Sequence, residues 1–198
     1  MNKSPVIMTS IPRLEFDDLA APLAQALQPR VTRLGYLGEF FRLMGHQPVP
    51  LRAFVDFTES AKAPLDKRIV EVIALTVATR KSNAYERNQH ERLGVRLGFG
   101  RQWITEVEAL RPDHSQQMSH REKLVQRFVL SAVDGPSEEA QRALETVVEE
   151  LGHENAVAIL MVVGRYVAHA VMVGALGIAP PVPSIYEDGF GLDPQPSV

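Results

Sequence analysis

The residues best equipped to move protons lie within one short stretch of the chain. Residues 69–79 read IVEVIALTVAT, in which Glu71 is the only ionisable group and apolar residues occur nearly all round a helix. A carboxylate placed there is desolvated, which favours its neutral form and brings its proton affinity toward the working range of a general acid or base. The alternative is a structural ion pair, with Arg68 at i−3 or with a distant arginine. Residues 82–90 then read SNAYERNQH. A helix over this segment projects Asn83, Glu86 and His90, at i, i+3 and i+7, from one face. Asn followed by Glu three residues on also has the form of a capping box, the Glu side chain reaching back to the cap amide. A cap does not exclude chemistry, because a helix N-terminus favours anions and lowers the cost of a carboxylate. His90 lies one turn past Glu86, so an i,i+4 contact can set its tautomer and keep it available for proton transfer.

Arg165, Tyr166 and His169 form a second polar island on an otherwise apolar helix, with Arg165 and His169 as i,i+4 neighbours. A buried arginine demands a partner, either a protein carboxylate such as Glu71 or the carboxylate of a ligand. The candidate catalytic set is therefore Glu71, Glu86 and His90, and the candidate substrate-binding set is Asn83, Tyr85, Arg165 and His169. Tyr85 faces elsewhere on its helix than Glu86, a position that also suits a core residue with a satisfied hydroxyl.

Other chemistries are excluded or poorly supported. The chain has no cysteine, which removes thiolate nucleophiles, Cys-ligated zinc, iron–sulfur clusters and disulfides. Its six histidines form no HxxxH or HExxH pair, so no metal is expected. There is no GxSxG elbow and no phosphate loop, and no cofactor is expected. A formal net charge of −3, without a basic face interleaved with aromatics, argues against nucleic acid and acidic membranes as partners.

The elements that must hold these groups are helices. Helical periodicity dominates and no strand pattern bounded by hairpin turns occurs, so the expected class is all-α. Helices are expected near 15–28 and 30–45, separated by Pro29, then near 51–60, 65–80, 84–97 and 101–110. Ser119 and Glu122 open another, to about Val133, and the DGPSEE run starts one that reaches Leu151. Residues 156–179 are apolar and long enough to raise a membrane span. Arg165 and His169 in the middle, with no basic anchor at the C-terminal end, argue instead for a helix buried within or between subunits. With 198 residues, a single domain over 14–179 is expected, after a flexible leader at 1–13 and before a Pro/Gly-rich tail at 180–198 that is disordered or laid over a neighbour. The leader lacks a signal-peptide pattern, and a cytoplasmic protein is expected.

The run from DKRIVEVIALTVA through SNAYERNQH to ERLGVRLGFGRQWITEVEAL resembles the carboxymuconolactone decarboxylase family, which includes the AhpD-like alkylhydroperoxidases. FFRLMGHQPVPLRAF is similar to the family's lead-in helices and the Ala156–Ile178 segment to its last one. The resemblance implies an AhpD-like helical bundle with a central helical hairpin, assembling as an obligate homo-oligomer, a dimer, trimer or hexamer. In the peroxidase branch the motif is a glutamate, a CxxC pair and a histidine; here these fall on Glu71, on Asn83 and Glu86, and on His90. Loss of both thiols implies no thiol peroxidase activity, and the surviving frame implies a cofactor-independent lyase or isomerase acting on a small organic acid or lactone. Tyr85, Glu86 and His90 look like the Cys-poor branch, though Arg87 stands where that branch often has an aromatic. A non-catalytic small-molecule-binding or structural oligomer on the same scaffold is the other expectation.

Overall fold

In a computed structural model of the chain, residues 9–187 and 190 are described. They form α1 (Ala21–Leu34), α2 (Glu39–Met44), α3 (Pro48–Lys62), α4 (Lys67–Arg80), α5 (Ala84–Arg96), α6 (Arg101–Glu108), α7 (His120–Asp134), α8 (Ser137–Leu151) and α9 (His153–Leu176). No strand occurs among the described residues, and the class is all-α.

α4 is the axis of the bundle, packing against α5, α6, α7 and α9. Its residues from Val70 to Ala78 are all buried, as a helix apolar on every side requires. Asp66 caps its N-terminus by accepting the Arg68 amide at 2.7 Å. A short junction turns the chain into α5, with Ser82 in the left-handed region at φ 52°, so α4 and α5 form the central hairpin.

Two apolar cores flank that hairpin. One gathers Ile73 and Leu75 of α4, Trp103 of α6, Phe128 of α7, and Ile159 and Tyr166 of α9. The other joins Leu23 and Leu27 of α1, Phe40 of α2, Leu51 and Val55 of α3, and Tyr85 and Val173. Tyr166 of the first core and Tyr85 of the second both face one cavity, so that cavity lies at the seam.

Pro29 does not separate two helices. It lies inside α1, on an exposed side, where the carbonyl freed by the missing amide can be met by water. The chain breaks instead at Gly35, whose φ of 79° ends α1 in the left-handed conformation. Pro48 and Pro50 belong to the first turn of α3 rather than preceding it, because a first-turn amide has no helical acceptor to lose.

α9 buries one face against α3, α4 and α8 and presents the other outward. Val157 and Val171 on the outer face are 52% and 65% exposed, with Leu160 and Met161 between them also exposed. α9 is long and apolar enough to cross a membrane, yet half of its most apolar window is buried in the bundle.

Beyond α9 the chain folds back across its own α5. Asn88 donates to the Val182 carbonyl at 2.9 Å and Arg92 to the Pro183 carbonyl at 3.0 Å. Glu91 accepts from the Ser184 hydroxyl and from the Ile185 amide. The expected tail thus begins with a strap anchored on this chain; residues 188–189 and 191–198 of it, and residues 1–8 of the leader, lie outside the described residues.

Candidate functional site

α4 and α5 run side by side, so Glu71 in the second turn of one meets His90 in the second turn of the other. His90 Nδ1 lies 2.8 Å from Glu71 Oε2. This contact leaves Nε2 turned to the cavity, 3.3 Å from the Tyr166 hydroxyl and 3.5 Å from Glu86 Oε1. Burial alone would lower the His90 pKa, but the Glu71 charge and hydrogen bond, with help from Glu86, overcome that and raise it to about 9. At neutral pH the ring is an imidazolium whose Nε2–H points toward Tyr166 and Glu86.

Glu86 does not complete a capping box. Asn83 caps α5 by accepting the Glu86 amide at 3.2 Å, whereas the Glu86 carboxylate turns inward. There Arg165 Nη1 donates to it at 2.7 Å. His169 Nδ1 lies 3.1 Å from its other oxygen, without the alignment of a hydrogen bond. Burial works to raise the Glu86 pKa, and His169, Arg165 and His90 together hold it well below the usual carboxylate range. His169 itself is pushed down to about 4, by burial first and then, despite Glu86, by the nearby cations. It is therefore neutral at pH 7, which leaves Arg165 as the principal cation holding Glu86 ionised.

Arg165 reaches this position from α9, donating its Nε–H to Thr58 Oγ1 of α3 at 3.2 Å and stacking over the Tyr166 ring at 4.4 Å. Its partner is Glu86 rather than Glu71, because Glu71 is already engaged by His90. Tyr166, named in the second polar island but in neither candidate set, joins the cluster here. Burial drives its pKa well above 10, so it remains a neutral phenol, and once His90 donates toward its oxygen the phenolic proton is available to a ligand. Its adjacency to Arg165 was the one signal in the sequence.

These groups face a cavity of about 170 Å³. Glu86, His90, Arg165, Tyr166, His169 and Tyr85 all line it. Tyr85 packs its ring near His169, at 6.1 Å, while its hydroxyl accepts the Phe40 amide at 3.3 Å. Asn83 and Glu71 are not among the lining residues: the first caps α5, and the second stands behind His90. No three His, Asp or Glu side chains among the described residues are placed to hold a metal ion.

Known structures share this architecture. An uncharacterised peroxidase-related protein with an alkylhydroperoxidase AhpD core, from Ralstonia eutropha JMP134, superposes with a TM-score of 0.76 at 18% identity, over 96% of this chain and 97% of that one. The debrominase Bmp8, as a cysteine-to-alanine form in complex with 2,3,4-tribromopyrrole, gives 0.72 at 16% identity, over 85% and 89%. An AhpD-related protein of unknown function from Agrobacterium tumefaciens gives 0.64 at 18%, over 71% and 96%. No family model and no curated protein matches the sequence. The chain has the AhpD-like fold, built without cysteine.

Proposed function

We propose that this protein is a cofactor-independent acid/base lyase, a decarboxylase or isomerase, acting on a small organic acid or lactone. The observation that carries the reading is the Glu71–His90 pair, which presents a protonated Nε2 and the Tyr166 hydroxyl to the same sheltered cavity. In a decarboxylation next to a conjugated carbonyl, the carbon–carbon bond breaks, its electron pair moves to the carbonyl oxygen, and carbon dioxide leaves. Tyr166 donates to the developing enolate, His90 delivers its proton to carbon as the carbonyl re-forms, and water restores that proton. Glu71 holds the imidazolium. Glu86, ionised and tied to Arg165, positions His90 rather than giving up a proton.

With no cysteine, the chain cannot reduce peroxide by a thiol pair of its own. Bmp8 acts as a debrominase on this fold, which supports diversity of small-molecule chemistry on the scaffold rather than one reaction. The deciding experiment follows carbon dioxide release and double-bond migration across unsaturated lactone acids. Turnover by the wild type that His90→Gln lowers by orders of magnitude, with the fold intact, is the expected result. Equal turnover by the variant removes His90 from the mechanism.

A second reading, a binding protein without turnover, is favoured by one observation: the inner charges pair off among themselves, Glu71 with His90 and Glu86 with Arg165. Ligand binding without product from any lactone acid would select it. In either case we expect the protein to work in the cytoplasm, without nucleic acid or membrane. We also expect it to assemble into a dimer, trimer or hexamer through the exposed face of α9. Val171→Glu should then lower the mass seen by sedimentation, and a wild type that sediments as a monomer would refute the assembly.

A further inference from the structure

The mouth of the cavity carries more positive charge than its interior uses. Arg33, in the last turn of α1, and Arg96, the last residue of α5, both line it, as do Arg92 and the phenol Tyr36. Neither Arg33 nor Arg96 has a carboxylate within ion-pair distance among the described residues, and the Tyr36 hydroxyl has no hydrogen-bond partner there. The groups feel one another. Burial, followed by the charges of Arg33 and Arg92, lowers the Arg96 pKa, while Tyr36 experiences all three guanidinium groups. The carbonyl ends of α1 and α5 make it possible to keep a cation at each position. They do not account for two such ends converging on one opening beside a free phenol.

The inner arginine is in a different condition. Arg165 is committed to Glu86 at 2.7 Å and to Thr58 at 3.2 Å, so an incoming anion would have to compete with an established buried pair. At Arg33 and Arg96 there is no such competitor among the described residues. Chemistry points the same way: a strong salt bridge to the carboxylate that is to be lost would stabilise the ground state and slow its departure.

Resting on the acid/base reading of the inner site, we propose that Arg33, Arg96 and Tyr36 form a carboxylate subsite at the mouth. It holds the substrate's retained acid group, while the reacting carbonyl points inward to His90 and Tyr166. Along α5, His90, Leu93 and Arg96 follow at three-residue steps and all line the cavity, so imidazole, apolar side chain and guanidinium are met in order from inside to outside. Six residues of helix rise by about 9 Å, and an arginine side chain leans back toward the helix N-terminus, which shortens the gap. The substrate class is thus a small acid with its carbonyl a few bonds from the carboxylate.

The test measures binding and needs no turnover, so it separates from the test of the lyase reading. Laevulinate, a stable carboxylate with a carbonyl at its other end, and its uncharged methyl ester are titrated by NMR into wild type, Arg33→Gln/Arg96→Gln and a control, Arg111→Gln/Arg121→Gln. The control removes two exposed arginines that do not line the cavity. Laevulinate should bind the wild type and the control alike, at least tenfold tighter than the mouth variant, and the ester should show no difference among the three. Equal laevulinate affinity in the mouth variant, equal loss in the control, or no wild-type binding would overturn the subsite. Absence of turnover with the subsite intact would instead remove the acid/base reading alone.

Discussion

Replacing Glu71 by Gln keeps the shape of the side chain beside His90 and removes its charge, and the consequence can be worked from one distance. With Nδ1 and Oε2 at 2.8 Å, the charges of imidazolium and carboxylate are centred at a somewhat greater separation. At about 4 Å and an effective dielectric constant of about 20 their attraction is about 4 kcal/mol. Burial opposes it, since the ring keeps only 13% of its side-chain surface. The rise from the ordinary 6.5 to about 9 corresponds to roughly 3 kcal/mol in favour of the charged ring, at about 1.4 kcal/mol per pKa unit. In Glu71→Gln burial prevails, and the His90 midpoint should fall to about 6.5 or below. Ring-selective NMR titration of both proteins measures it directly. A raised pKa in the fold means that the stabilisation is complete below the unfolded value of 6.5 and is lost as pH rises through about 9. The wild-type denaturation midpoint should therefore decline across that window more steeply than the variant's, which loses the His90 contribution and keeps that of Glu108. A wild-type His90 titrating near 6.5, or a variant still titrating near 9, would refute the account of the pair.

Three further outcomes follow from the same geometry. Tyr166→Phe removes the hydroxyl 3.3 Å from His90 Nε2 and should lower kcat/KM by about a hundredfold, at a stability cost of about 1 kcal/mol; steady-state kinetics and urea denaturation measure the two. Glu86→Gln strands the Arg165 guanidinium in a buried place and should cost about 3–5 kcal/mol in denaturant unfolding, much of which Glu86→Gln/Arg165→Met should recover. Glu108, raised to about 8 by burial and then by the charge and hydrogen bond of Glu91, should lose stability as pH rises from its unfolded range through about 8. Glu108→Gln should remove that decline, and a thermal-melt series across neutral and alkaline pH checks it.

The class, the central hairpin and the burial of α4 were legible because a nine-residue apolar run around one carboxylate leaves a helix nowhere to go but inside. Boundaries failed at prolines: Pro29 is tolerated within α1 because its missing hydrogen bond falls on the exposed side. The common face of Asn83, Glu86 and His90 proved only half informative. Backbone spacing places the side chains but does not say which way a glutamate turns, and an arginine on α9, 79 residues away, turned Glu86 inward. Tyr166 gained no role of its own from the sequence, because a tyrosine on an apolar helix is indistinguishable from a core residue until the imidazole opposite is placed. Arg33 and Arg96 were invisible for a related reason. Each suits the C-terminal turn of its helix, and only the packing of the bundle brings the two ends to one opening.

On the proposed acid/base reading, the arrangement of charge lets the site act without a thiol. Two ion pairs sit at and behind the inner wall: Glu71, behind it, neutralises His90, and Arg165 neutralises Glu86, with His169 uncharged between the cores. These four groups carry no net charge between them, and an imidazolium can be kept protonated there without being an unpaired ion in an apolar place. Outside, the mouth keeps Arg33 and Arg96 without a carboxylate partner among the described residues. A neutral carbonyl entering such a cavity meets two hydrogen-bond donors, whereas the anion attached to it is drawn to the rim. When electrons move onto the carbonyl oxygen, the charge that develops is new to the interior and is met by donors already oriented toward it. That difference between ground and transition state is what accelerates a reaction, and it depends on the inner pairs staying closed while the outer arginines stay open.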